Sequence, residues 1–179
     1  MNAEEIKYSL MKYIKEEFST SEIFFEVKYG YKRRVADVLF LTENSHAVEI
    51  KSQFDSLTKL YEQLKDYSEN FDYVSVAIDV KFLGKLTYLD KKIGIILVKD
   101  NMVIPIRKPK KQTRQNKREL LSNVPISVLL DHYKGKDVSV EIIRDKLAKK
   151  KLSLVHFLVM TGWRKKLSSR IYTNRSLFN

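Results

Sequence analysis

The sequence predicts an α/β fold: a mixed β-sheet flanked by helices, followed by a basic helical appendage. Three observations predict it. Short runs rich in branched and aromatic residues alternate with amphipathic helical stretches through residues 1–106. Apolar residues make up 44% of the 179-residue chain, enough to bury a real core. Charge divides the chain: residues 1–106 hold 15 Lys+Arg against 17 Asp+Glu, and residues 107–179 hold 19 against 5, so the whole net charge of +12 arises beyond residue 106. The expected organisation is a core over residues 1–106 and a basic linker with helices over residues 107–179.

The elements follow in order. Residues 3–18 read as a helix, because Ile6, Leu10, Ile14 and Phe18 recur every four residues as one apolar stripe. Ser19-Thr20-Ser21 ends it. Ile23 to Lys28 is a short strand, and Tyr29-Gly30-Tyr31 is a turn. Arg34 to Leu41 and His46 to Ser52 are two more strands, and the short connection through Glu43-Asn44-Ser45 makes them an antiparallel hairpin. A turn centred near residue 44 sets Asp37 opposite Lys51 and diagonal to Glu49. A helix from Asp55, as N-cap, to Glu69 buries Leu57, Leu60, Tyr61, Leu64 and Tyr67. Asp72 to Ile78 returns to the sheet, and strand–helix–strand implies a right-handed crossover. Lys81 to Leu89 is short-helical or irregular. Ile93 to Val98 pairs with Met102 to Ile106 across the Asp100-Asn101 turn. Arg107 to Arg118 holds seven basic residues and no acidic or aliphatic one, so it is an exposed linker. Helices then span about 126–132, 138–150 and 152–164, the last with Leu154, Phe157, Leu158 and Trp163 as its apolar face.

Several function classes drop out. With no cysteine there is neither a disulfide nor a thiolate metal site. His46, His132 and His156 lack zinc-ligand spacing. No apolar run approaches the roughly 20 residues that span a bilayer, and the N-terminus lacks the pattern of a signal peptide. A cytoplasmic protein without a membrane partner is the expectation. A basic segment beside a neutral core points to a phosphate-rich partner, with DNA first and RNA or an anionic membrane surface as the other readings.

The chemistry centres on Asp37, Glu49 and Lys51. Side chains alternate across a strand, so Glu49 and Lys51 share a face while Val48 and Ile50 take the other. Asp37 interrupts an otherwise apolar strand, and a buried carboxylate is costly unless it is paired or binds a cation. Two neighbouring carboxylates repel, and a divalent cation relieves them; Mg²⁺ needs only one or two carboxylates and keeps its waters. Lys51 is then placed to orient water or to stabilise a phosphorane-like transition state. The simpler reading is a salt bridge from Lys51 to Asp37 and Glu49.

These residues resemble a known family. Arg34-Val35-Ala36-Asp37, then Glu49-Ile50-Lys51-Ser52 with Asp55, then Leu57, Leu60, Gln63 and Tyr67, are similar to the PD-(D/E)XK nuclease superfamily, in a branch with R-x-A-D and E-I-K-S-x-x-D motifs. The resemblance covers roughly residues 20–100, and Ala36 stands where the full motif has Pro. It implies a restriction-endonuclease-like core and a Mg²⁺- or Mn²⁺-dependent DNA endonuclease. Asp37 and Glu49 would bind the metal with the Ile50 carbonyl, Lys51 would be the catalytic lysine, and Gln63 and Tyr67 would flank the site. An acidic residue of the first helix would stand near the metal: Glu5, with Glu4, Glu16 and Glu17 competing and Glu26 on the first strand as another choice. Arg33 and Arg34, with Lys32, precede the site. Lys108, Lys110, Lys111, Arg114, Lys117 and Arg118 are the further candidates for DNA-phosphate contacts. Cutting both strands of a duplex would favour a homodimer. The alternative is a non-catalytic DNA-binding or partner-binding module.

Overall fold

The computed structural model describes residues 1–19, 21–113, 115–133 and 138–168. Its first helix, α1 (Ala3–Glu17), starts where Asn2 caps the Glu5 amide and Glu5 returns the bond, a capping box. Ile6, Leu10 and Ile14 are buried on its inner face, each contributing about 1.5–3 kcal/mol by burial. Phe18 is not part of that stripe. The helix stops at Glu17, and Phe18 lies half exposed against the rings of Phe40 and His46.

Six strands follow in one sheet whose spatial order is the sequence order: β1 (Glu22–Tyr29), β2 (Arg34–Leu41), β3 (Ser45–Lys51), β4 (Tyr73–Asp79), β5 (Gly94–Lys99) and β6 (Met102–Arg107). β3, β4 and β5 are parallel neighbours, and the remaining pairs are antiparallel. The sheet is therefore mixed, as expected. Helix α2 (Leu60–Asn70) links the parallel pair β3–β4. It starts five residues later than Asp55, because that carboxylate has a nearer partner. Asp55 accepts hydrogen bonds from the Ser52 amide (2.8 Å) and hydroxyl (2.6 Å), which closes a turn at the end of β3. Tyr61, expected in the core, is exposed: the buried stripe of α2 is Leu60, Leu64 and Tyr67, and Tyr61, the next residue round the helix from Leu60, falls outside it.

The hairpin register differs from the expectation by two residues. Leu41 pairs with Ser45 and Val38 with Val48, so the turn centres on Glu43 rather than Asn44, and the Thr42 amide bonds the Asn44 carbonyl. Asp37 therefore comes level with Glu49 instead of Lys51. A two-residue slip leaves every side chain on its expected face.

Four helices complete the described chain: α3 (Lys117–Ser122), α4 (Ile126–His132), α5 (Val140–Ala148) and α6 (Leu152–Leu167). The sheet has a different cover on each face. Val38, Phe40, Val48 and Ile50 pack in one cluster with α1. Leu39, Ala47, Val76 and Ile78 pack in the other with α2 and with Leu121, Leu158 and Trp163 of the C-terminal helices. On α6 the buried face is Val155, Leu158, Val159 and Trp163, and Phe157 is exposed. Gly162 lets α6 approach the α3–α4 junction, where a Cβ would stand 3.0 Å from the Val124 Cα. Among the described residues, no helix is long and apolar enough to cross a membrane.

Candidate active site

Asp37, Glu49 and Lys51 meet on the α2 face, beyond the point where β2 and β3 stop pairing at Val38 and Val48. The Asp37 carboxylate takes over from the ladder there and accepts a hydrogen bond from the Ile50 amide at 2.7 Å. Glu49 is 2% exposed and both its oxygens are engaged. Lys51 Nζ donates to Oε1 at 2.8 Å, and the Tyr67 hydroxyl donates to Oε2 at 2.7 Å. Lys51 Nζ also donates to Gln63 Oε1 at 2.9 Å. The Asp37 amide donates to the Tyr67 hydroxyl at 3.2 Å. α2 thus supplies two residues four apart, one turn of helix, that hold the lysine and the glutamate.

Electrostatics mark the same spot. Burial, and then the charge of Glu49, push the Asp37 carboxyl up to about 7. The bond from Ile50 and the charge of Lys51 work against this without cancelling it. Burial and the charges of Glu49 and Asp37 raise the Tyr67 hydroxyl well above its ordinary range, so it stays a donor. A second tyrosine, Tyr29, packs edge-on against Tyr67 at 5.4 Å.

Two neighbouring carboxylates, Glu49 held by Lys51 and Tyr67 and Asp37 by the Ile50 amide, are of the donor type that a hard divalent cation takes. The described residues hold no cluster of three or more His, Cys, Asp or Glu side chains arranged for a metal. Such a cation would take two carboxylates and keep most of its waters, which is the habit of Mg²⁺.

The other sequence-predicted residues divide. Glu5 is spent on its capping box. Glu26 is the acid whose charge reaches Asp37. It stands level with Asp37 across β1–β2, holds a positive φ of 51°, and pairs with Lys7 at 2.6 Å. Arg34 forms an ion pair with Asp66 of α2. Arg33 is exposed in the β1–β2 turn.

The basic segment lies elsewhere. The Lys110 amide bonds the Lys92 carbonyl, the Gln112 amide bonds the Asp72 carbonyl, and Lys111 Nζ reaches Asn44 at 2.7 Å. Together with Lys108, these residues line the end of the sheet where β3 and β4 begin, six strand residues from Lys51, or about 20 Å. Lys117 donates to the Lys150 carbonyl, and Arg118 pairs with Glu141 and Asp145, so neither joins the carboxylates. Arg114 lies outside the described residues.

Sequence reasoning missed a second buried acid at that far end. Asp72 accepts from the Ser45 amide (2.9 Å) and hydroxyl (2.8 Å), and His156 stands 3.2 Å away. Burial alone would raise its pKa, but the bonds from His156 and Ser45 outweigh burial and hold it below the usual carboxylate value. No local spacing could reveal a contact across 84 residues.

A six-stranded mixed sheet flanked by helices places the protein among α/β folds. A solved structure shares that fold: a protein of unknown function from Silicibacter pomeroyi, with TM-score 0.50 and 12% identity, covering 97% of this chain and 94% of that one. The chain belongs to the Bacteriophage P4 protein cII family, whose sequence model matches residues 1–176. Protein cII of Enterobacteria phage P4 is 28% identical over 104 residues, 56% of this chain. The match spans about two fifths of that relative, 39% of its length.

Proposed function

We propose that the protein is a Mg²⁺- or Mn²⁺-dependent nuclease that hydrolyses phosphodiester bonds of DNA, built on a restriction-endonuclease-like core. The observation that carries this reading is the convergence of Asp37, Glu49 and Lys51 on one hairpin, braced by Gln63 and Tyr67 from the following helix. Asp37 and Glu49, with the Ile50 carbonyl, would hold the cation, which supplies a Lewis acid for the phosphodiester and an acidified water. Lys51 has three N–H donors. Glu49 and Gln63 take two, which leaves one for a phosphate oxygen or the attacking water. Gln63 fixes the direction of that ammonium. Tyr67 holds Glu49 and the Asp37 amide, so the groups are in place before substrate arrives.

The test is cleavage of plasmid and oligonucleotide DNA with Mg²⁺, Mn²⁺ or EDTA, comparing wild type with Glu49→Gln and Lys51→Ala. Metal-dependent cutting should fall at least a hundredfold in both variants. Cutting that survives both substitutions defeats the assignment.

One observation favours a second reading, a non-catalytic DNA-binding or partner-binding module. Both Glu49 oxygens are already satisfied by Lys51 and Tyr67, so the cluster stands without a metal. Calorimetric titration with Mg²⁺ and Mn²⁺ decides between them. A site lost in Asp37→Asn supports the nuclease, and no binding by wild type supports the module.

A further inference from the structure

A cleft of about 620 Å³ opens on the α1 face of the sheet, the face opposite Glu49 and Lys51. That volume is in the range of pockets that take small molecules. Its floor is a ladder of rings. Phe40, His46 and Tyr73 are cross-strand neighbours on β2, β3 and the start of β4. Phe40 and His46 stack with centroids 4.4 Å apart and planes at 14°, and His46 and Tyr73 at 4.7 Å and 9°. Burial holds His46 down at about 4, so this middle ring carries no charge at neutral pH. Tyr13 and Phe18 add two more rings from the end of α1. The ladder stops at Tyr73, because β5 begins at Gly94, level with Ser75. Gly94 keeps the floor open: a Cβ there would collide with the Ser75 hydroxyl and stand 2.9 Å from Pro109 Cδ.

The polar groups of the wall are unspent. Ser75 is 6% exposed, yet its hydroxyl bonds nothing among the described residues. A nearly buried hydroxyl is normally satisfied by the protein, by water or by a ligand. Glu17 and Glu43 line the same cleft, are exposed, and form no ion pair or hydrogen bond among the described residues. Of the two cations in the wall, Arg107 is fastened to the Ile93 and Asp90 carbonyls, and Lys108 is exposed. The cleft therefore offers aromatic faces, one free hydroxyl and two free carboxylates. Aromatic faces take a flat ring of any sequence by stacking. Carboxylates accept hydrogen bonds and donate none, so they select a ring whose edge carries N–H groups.

We propose that this cleft binds a nucleobase with an exocyclic amine, stacked on the rings and held at its edge by Glu17, Glu43 and Ser75. The base comes from a free nucleoside or from an unpaired position in a strand. The site is separate from Asp37, Glu49 and Lys51 and does not depend on the nuclease reading. The full chain is titrated calorimetrically, in EDTA, with adenosine, with thymidine, which lacks the amine, and with a short poly-dA strand. Adenosine should bind with a Kd below about 1 mM, and thymidine at least tenfold more weakly. Glu17→Gln/Glu43→Gln, both at exposed positions, should weaken adenosine about tenfold and erase its advantage over thymidine, with an unchanged melting temperature. Glu16→Gln/Glu62→Gln, exposed carboxylates outside the cleft, should stay within about twofold of wild type. Tyr73→Leu should weaken both nucleosides about tenfold by removing a stacking face. The glutamate variant decides the matter should Tyr73→Leu fail to fold.

No binding of adenosine at about 1 mM overturns the proposal, and so does thymidine binding as well as adenosine. Equal losses in the cleft and control variants overturn it too. So does uptake of a fatty acid by a chain that takes neither nucleoside, which would make the cleft an apolar site. Poly-dA that binds more tightly than adenosine, and loses that advantage in the cleft variants, makes the ligand an unpaired base of a strand. Poly-dA that binds no better makes it a free nucleoside, and the proposal holds in either case.

Discussion

Two acidic residues near opposite ends of the same sheet have been treated in opposite ways. Asp72, beside the starts of β3 and β4, is saturated: Ser45 gives it two hydrogen bonds and His156 a third contact, and its carboxylate titrates below the ordinary value. Asp37, near the other end, receives one hydrogen bond from Ile50, faces the charge of Glu49, and is pushed up to about 7. Asp37 has one donor where Asp72 has two from Ser45 and His156 beside it. A buried carboxylate with one hydrogen bond beside a second carboxylate has a perturbed titration of the kind that functional sites often show, and structural clusters show at times.

That contrast can be broken by experiment, and the largest effect should come from the saturated end. Asp72→Ala strands the Ser45 donors and His156 in the interior. It should cost about 3–4 kcal/mol, a drop of roughly 10 °C in melting temperature. Thermal unfolding followed by circular dichroism measures it. A loss under 1 kcal/mol would mean that the clamp is not structural.

Cation binding should stabilise the other end. At a Mg²⁺ concentration one hundred times the dissociation constant, the gain is about 2.7 kcal/mol. It should be present at pH 8 and absent at pH 5.5, where a proton occupies Asp37. The same melting shift at both pH values would place the ion elsewhere.

Without metal, Asp37 gives the next effect. Its folded pKa lies above the ordinary value of 3.8, so the folded state holds the extra proton and stability falls as pH rises from about 4 to about 7. Asp37→Asn removes that penalty and should stabilise the protein by on the order of 2 kcal/mol at pH 8, and by almost nothing at pH 4.5. Urea unfolding at the two pH values is the check. A variant less stable at both would show Asp37 to be as saturated as Asp72. Asp72 has the opposite sign: its stabilisation is complete above pH 3.8 and is lost as pH falls through its depressed value.

The smallest effect sharpens the role of α2. Tyr67→Phe deletes the bond to Glu49 and leaves the Asp37 amide without its acceptor. It should cost about 1 kcal/mol and slow metal-dependent cutting about tenfold. Unchanged cutting at a lower melting temperature would make Tyr67 a core residue only.

Much of this was legible in the sequence, for reasons that differ by element. The strands were readable because branched residues alternate in short runs. The pairing of Glu49 with Lys51 was readable because a glutamate and a lysine two apart in a strand must share a face. The start of α2 was misread because Asp55 has two possible partners, and only the folded chain shows that Ser52 takes it. α3 was missed: its first two residues lie in the basic stretch read as linker to Arg118, and only the folded chain shows Asn116 capping it and Leu120 and Leu121 buried. The face of α6 was placed one residue off at Phe157, because a helix with apolar residues on most sides does not declare which side is inside. The partners of Asp72 depend on contacts between distant segments that periodicity does not report.

The three-residue β2–β3 loop has a consequence for how such proteins can change over time. A strand has a period of two, so lengthening or shortening β3 by a pair of residues beyond the turn would keep Glu49 and Lys51 facing α2. A single inserted residue would send both charges under α1, into the cluster of Ile6, Leu10 and Ile14, and turn Val48 and Ile50 toward the opposite face. The hairpin therefore tolerates drift only in even steps. Lineages that retain the chemistry should show odd-numbered insertions in the loop only where a bulge restores the count.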